Sequence, residues 1–147
     1  METKLANTKQ AGFTMLELMI VIVIIGVLMS IAIPAYTSSV QKSRRTDAKN
    51  ALLDLATREE KFYSVNNKYT QTATDLYGGT VTFPMNVQTG GTAYYQVDVP
   101  TLTAAGTTTS AYFQATATPV APQDTDACGT FNLDSLGAQG AATTNCW

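Results

Sequence analysis

The chain has 147 residues, a formal net charge of −2, 45% apolar side chains, two cysteines and no histidine. That length suits one domain plus an anchor. The lack of histidine excludes Ser-His-Asp and Cys-His catalysis, two cysteines are too few ligands for a zinc site, and no Gly-Lys-Ser/Thr phosphate loop is present.

First in chain order comes a short charged leader, with Lys4 and Lys9 ahead of Gly12. Residues 13–33 follow and carry one charge, Glu17. About 21 residues at 1.5 Å each span about 31 Å, the thickness of a bilayer core. A helix in a globular core would show polar residues every few positions. Val and Ile weaken an isolated helix, but in lipid the backbone must satisfy its own hydrogen bonds. A removable secretory signal is the alternative: Ser30-Ile31-Ala32 is a small-x-small triplet, and cleavage there would leave a chain starting at Ile33. The length of the apolar stretch and the acid within it argue against that. The flanking charges are in conflict over orientation. Lys42, Arg44 and Arg45 favour a cytoplasmic C-terminal side, whereas the leader and the cysteines favour an exported head.

The stretch Gly12-Phe13-Thr14-Met15-Leu16-Glu17 resembles the prepilin methylation signature of type IV pilins. The signature is a charged leader ending in Gly, then Phe-Thr-x-x-Glu and an apolar helix. The resemblance continues through Gly26 and Pro34-Ala35-Tyr36 to the C-terminal cysteine pair, and Met15 stands where many members have Leu. It implies cleavage between Gly12 and Phe13 by a prepilin peptidase, N-methylation of Phe13, and pairing of Glu17 with the Phe13 amine of a neighbouring subunit. It divides the chain into a leader (1–12), a transmembrane and filament-core half-helix (13–34), and a globular head (35–147) that includes the amphipathic half of the helix. The implied fold is the α+β pilin ladle, a long kinked helix on a three- or four-stranded antiparallel sheet. The implied partners are major and minor pilin subunits, the inner-membrane assembly machinery and the membrane itself. The implied location is the inner membrane, head in the periplasm, and then the surface pilus. Pilus biogenesis with twitching motility or adhesion would be the role, with no enzymatic activity, cofactor or metal.

The physics of Glu17 supports a functional acid, because ionisable groups in a membrane span are costly and therefore functional by default. Opposite charges 4 Å apart attract by about 4 kcal/mol at an effective dielectric near 20, so the pair would set subunit stagger. A local alternative exists. Thr14-x-x-Glu17 is also a capping box with Phe13 and Leu18 as its staple, and an acid in the first turn suits the helix dipole.

Further along, Gly26 weakens the helix, and Pro34 should kink it by crowding the carbonyl of Ser30. In assembled pili of the resembled family the stretch between such a Gly and Pro loosens; a static bend is the alternative. Ala48, Ala51, Leu52, Leu55 and Phe62 then recur at three- and four-residue steps, predicting a face buried on a sheet. Arg45, Lys49, Arg58 and Lys61, mixed with Asp47, Asp54, Glu59 and Glu60, are expected as solvated pairs. Asn66-Asn67 should stop the helix near Ser64. The run from Ser43-Arg44-Arg45-Thr46 to Asn67-Lys68-Tyr69 resembles minor subunits of twitching pili.

In the head, residues 69–86 read as loop, with Val81-Thr82-Phe83 extended. Alternation predicts strands with Tyr95, Val97 and Val99, then Phe113, Ala115 and Ala117, then Phe131 and Leu133 on the inner face. Gly90-Gly91, Gly106 and residues 119–122 punctuate them. Cys128 and Cys146 read as one disulfide in an oxidising compartment, with two buried thiols as the alternative. Cys128 should open the last clear strand, Asp134-Ser135-Leu136-Gly137 should turn, and Trp147 should pack. Asp124 and Asp126 could chelate calcium weakly, but no ordered set of oxygen ligands is visible. Past the leader every Lys and Arg lies between Lys42 and Lys68, and every later charge is an Asp. That acidic head argues against nucleic acid as a partner. Two rivals remain: a type II secretion pseudopilin, disfavoured by the cysteine pair, and a tip subunit that captures DNA or a surface.

Overall fold

The computed structural model describes residues 12–103 and 111–147, so the leader up to residue 11 and Gly106 lie outside the described residues. The chain divides into two compact units, one ending at Ser38 and the other running Ser39–Trp147. Helix α1 (Met15–Asn66) contributes to both.

In the first unit α1 is apolar on every side. Its large side chains from Met15 to Ile33 are between 45% and 93% exposed. By length and composition it can cross a membrane. So large a contiguous apolar surface requires lipid or protein to cover it. The helix starts on Thr14, whose hydroxyl accepts the Glu17 amide at 3.2 Å and whose carbonyl accepts the Leu18 amide at 3.2 Å. It continues through Pro34, where the Thr37 hydroxyl donates to the Pro34 carbonyl at 3.0 Å.

In the second unit α1 buries Ala48, Leu52, Leu55 and Glu59. Tyr63, not Phe62, extends this stripe, because its ring stacks on Tyr69 at 4.6 Å. Periodicity places residues 62 and 63 about equally far from the stripe's centre, one on either side, so the tertiary contact selects between them. The helix ends two residues past Ser64. Asn67 adopts φ 52° and donates its amide to the Tyr63 carbonyl at 2.8 Å. Asn tolerates this left-handed cap better than most residues.

Helix α2 (Ala73–Tyr77) lies within the segment read as loop. At five residues it is too short to show a period. Val81-Thr82-Phe83 forms no strand; pairing begins at Met85. The sheet is antiparallel as expected but has five strands rather than three or four, in sequence order: β1 (Met85–Thr89), β2 (Thr92–Thr101), β3 (Gln114–Pro119), β4 (Phe131–Asp134) and β5 (Gln139–Gly140). Gly90 and Gly91 make the β1–β2 turn with φ 63° and 85°, the left-handed pair that a two-residue hairpin needs.

The period-two faces hold. Tyr95, Val97, Val99, Phe113, Ala115, Ala117, Phe131 and Leu133 are all buried and join Ala48, Leu52 and Leu55 in one core. Cys128 does not open a strand; it sits in the turn before β4 and bonds Cys146 across 18 residues. Closing a loop of that size contributes about 3 kcal/mol through the unfolded state. Beside it, Gly129 has φ 56°, and a Cβ there would lie 2.7 Å from that of Ala142. Trp147 packs edge-on to Phe131 at 5.9 Å and donates its indole N–H to the Gly140 carbonyl.

Candidate functional site

Gly12 and Phe13 precede the helix and are exposed. At Glu17 the capping question has a partial answer. The Thr14 hydroxyl satisfies the Glu17 amide, while the Glu17 carboxylate is exposed and has no partner among the described residues. Capping therefore uses the threonine and leaves the acid free. A Cβ on Gly26 would meet nothing within 4 Å. Space does not demand glycine there; what glycine brings is a helix weaker by about 1 kcal/mol than alanine would give.

The head holds a buried polar centre that sequence reasoning missed. Arg45, expected in solvent, grips Asp126 with two bonds, Nη2 to Oδ1 at 2.5 Å and Nε to Oδ2 at 2.9 Å. The Tyr95 hydroxyl donates to Oδ2 at 2.6 Å, Gln123 Nε2 donates to Oδ2 at 2.9 Å, and the Cys128 amide donates to Oδ1 at 3.0 Å. Burial by itself would raise the Asp126 pKa, but Arg45 and the other donors outweigh it and hold the carboxyl well below the usual range. These oxygens are committed to protein donors, not to a cation. Arg44 joins the same seam, donating to Gln123 Oε1 at 3.3 Å and lying 3.4 Å over the Tyr94 ring. Arg45 and Asp126 are 81 residues apart and Arg44 and Gln123 are 79, so no local pattern could reveal them.

A second correction concerns Glu59. It was expected in solvent and is fully buried. Its Oε2 accepts the Thr70 amide at 3.1 Å, while Oε1 has no partner. Burial, opposed by the Thr70 bond and aided by Glu60 and Asp75, pushes its pKa up to about 7. By contrast the Arg58–Asp54 pair, at 2.8 Å, is exposed as expected and worth little. Arg58 also donates to the Leu76 carbonyl at 3.2 Å and lies 4.3 Å over Tyr77. Beside it a groove of about 500 Å³ runs between α1 and α2, with Phe62, Val65 and Leu76 on its walls. Among the described residues no cluster suited to a metal occurs.

Residues 7–33 match the prokaryotic N-terminal methylation motif. Residues 34–132 match the family described as "Type IV minor pilin ComP, DNA uptake sequence receptor". The type IV major pilin protein PilA of Myxococcus xanthus is 39% identical over 70 residues, which is 48% of this chain and 32% of that protein. The type II secretion system core protein G of Pectobacterium carotovorum subsp. carotovorum is 37% identical over 68 residues, 46% of this chain and 44% of that protein. The chain thus covers less than half the length of either relative. The solved structure of a type IV pilin from Shewanella oneidensis superposes with a TM-score of 0.50 at 30% identity, covering 73% of this chain and 97% of that one.

Proposed function

The chain belongs to the type IV minor pilin family, and from that premise we propose that it is a structural subunit of a type IV pilus, cleaved after Gly12 and assembled through α1. The observation that carries this reading is the Glu17 carboxylate, left without a partner at the start of a helix that is apolar on all sides. Cleavage before Phe13 creates an amine of opposite charge. In a neighbouring subunit that amine meets Glu17 inside a low-dielectric bundle, where misregister would leave a charge unpaired at a cost of several kcal/mol. N-methylation of Phe13, a periplasmic head before assembly and a surface location afterwards belong to the same proposal. Gly26 and Pro34 would let the helix loosen as subunits pack.

The mature N-terminus tests it. Mass spectrometry of protein from its native membrane should find a chain starting at methylated Phe13, and the same species should occur in sheared pili. A start at Ile33, or an intact leader in a host that processes prepilins, overturns the reading. Absence from sheared pili despite correct processing would point to a secretion pseudopilin instead.

The DNA-uptake role in the family description is tested separately. Phosphate contacts by Lys and Arg supply most protein–DNA affinity. Here no Lys or Arg follows Lys68, so the strands and the disulfide loop carry none. Arg45 and Arg58 are already paired. The detergent-solubilised chain is therefore expected to lose duplex DNA at about 0.15 M salt. A sequence-selective complex that survives this salt would assign the chain a receptor role.

A further inference from the structure

Among the described residues two carboxylates of the head are buried, and they are treated oppositely. Asp126 has an arginine and three neutral donors. Glu59 has one neutral donor, the Thr70 amide, and an orphaned Oε1. Among the described residues no cation pairs with it. On its own helix it is flanked by Arg58, held by Asp54 and the Leu76 carbonyl, and by Glu60, which accepts the Tyr69 hydroxyl at 2.8 Å. From the covering segment it faces Tyr69 and Thr70, and α2 brings Asp75 and Tyr77. On the sheet side, Phe113 lies edge-on to Tyr69 at 4.9 Å and the Val99 carbonyl accepts Gln71 at 2.8 Å, both neutral.

Thr70 is the clasp of this arrangement. Its amide goes to Glu59, its hydroxyl to Asp75 at 2.8 Å, and its Oγ1 accepts the Thr72 amide at 3.0 Å. We propose that Glu59 is a proton-operated latch: protonated, it lets residues 69–77 close onto α1, and ionised, it releases them and opens the groove wall formed by Asp75 and Leu76. A neutral acid fits the site. A carboxylate there has one bond, two acidic neighbours and no counterion, and it gains hydration only if the segment lifts. The sign follows from the raised folded-state pKa. Closure is fully favoured below the ordinary glutamate range and weakens as pH rises through about 7.

The test is amide hydrogen exchange across residues 69–77 of the full chain in detergent, corrected for intrinsic rates, together with titration of the ¹³C-labelled Glu59 carboxyl. Protection should fall roughly 50-fold between about pH 5 and about pH 8.5, and in Glu59→Gln it should not vary with pH. The carboxyl should titrate near neutrality. A midpoint in the ordinary glutamate range overturns the latch, as does pH-independent protection in the parent chain or unchanged pH dependence in Glu59→Gln. If Glu59→Gln does not fold, the carboxyl midpoint and the parent chain's exchange decide.

Discussion

Replacing Asp126 by Ala is expected to lower the head's unfolding free energy by about 3–5 kcal/mol. The substitution removes one acceptor group from five donor atoms: Nε and Nη2 of Arg45, the Tyr95 hydroxyl, Gln123 Nε2 and the Cys128 amide. Arg45 can turn toward water, since its side chain is 23% exposed. Tyr95 and Gln123 cannot, because both are fully buried, and each stranded donor costs about 1–3 kcal/mol. Denaturant unfolding of the full chain in detergent, followed by Trp147 fluorescence, measures the loss. A change below about 1 kcal/mol would mean the network is no more than a surface pair. The pH dependence carries the same assignment. The folded-state pKa of Asp126 is depressed, so its contribution is present above the ordinary aspartate range and disappears as pH falls below it. Glu59 acts in the opposite sense and weakens the head as pH rises through about 7. Stability should therefore peak at about pH 4 and fall on either side, toward acid as Asp126 protonates and between about pH 4 and about pH 7 through Glu59, with Asp126→Ala flattening the acid limb and Glu59→Gln the other.

The second large effect is on assembly. Glu17→Ala should remove the protein from sheared pili while leaving leader cleavage and head folding intact. An attraction of about 4 kcal/mol is a factor on the order of 1,000 in subunit association, so immunoblots of sheared against total protein should fall by well over tenfold. Glu17→Gln separates the two explanations of this acid. Gln completes a capping box as well as Glu does, so a capping role predicts normal incorporation. Charge pairing predicts loss for Gln and Ala alike. Since the Thr14 hydroxyl already satisfies the residue 17 amide, neither substitution should disturb the helix start. Normal amounts of Glu17→Gln protein in pili would end the pairing model.

Legibility differed by the range of the interactions involved. The apolar span, its lone acid and the three inner strand faces were readable because each depends on spacing within one element. Runs of apolar residues and period-two alternation are local properties of the chain. The same holds for the Gly90-Gly91 turn, whose two positive φ values follow from residue type. Errors arose where a contact crossed between elements. The stripe on α1 was read by hydrophobicity, so Glu59 was assigned to solvent; a fold-back by residues 69–72 covers it. Spacing puts Phe62 on the stripe, and the stack on Tyr69 selects Tyr63 instead. Helix α2 was too short to have a period, and β5, with two residues, was too short to alternate.

The amino-acid sequence by itself thus determined an apolar run long enough to cross a membrane and the faces of the main strands, because these follow from patterns along the chain. Only the tertiary structure decided which charges are buried. Arg45 and Asp126 are 81 positions apart, and nothing in either residue's neighbourhood marks it as half of a pair. Glu59 looks like any helical surface acid until Thr70 closes over it. Whether a charge is desolvated depends on what the fold lays across it, and that is set by long-range packing rather than by local pattern.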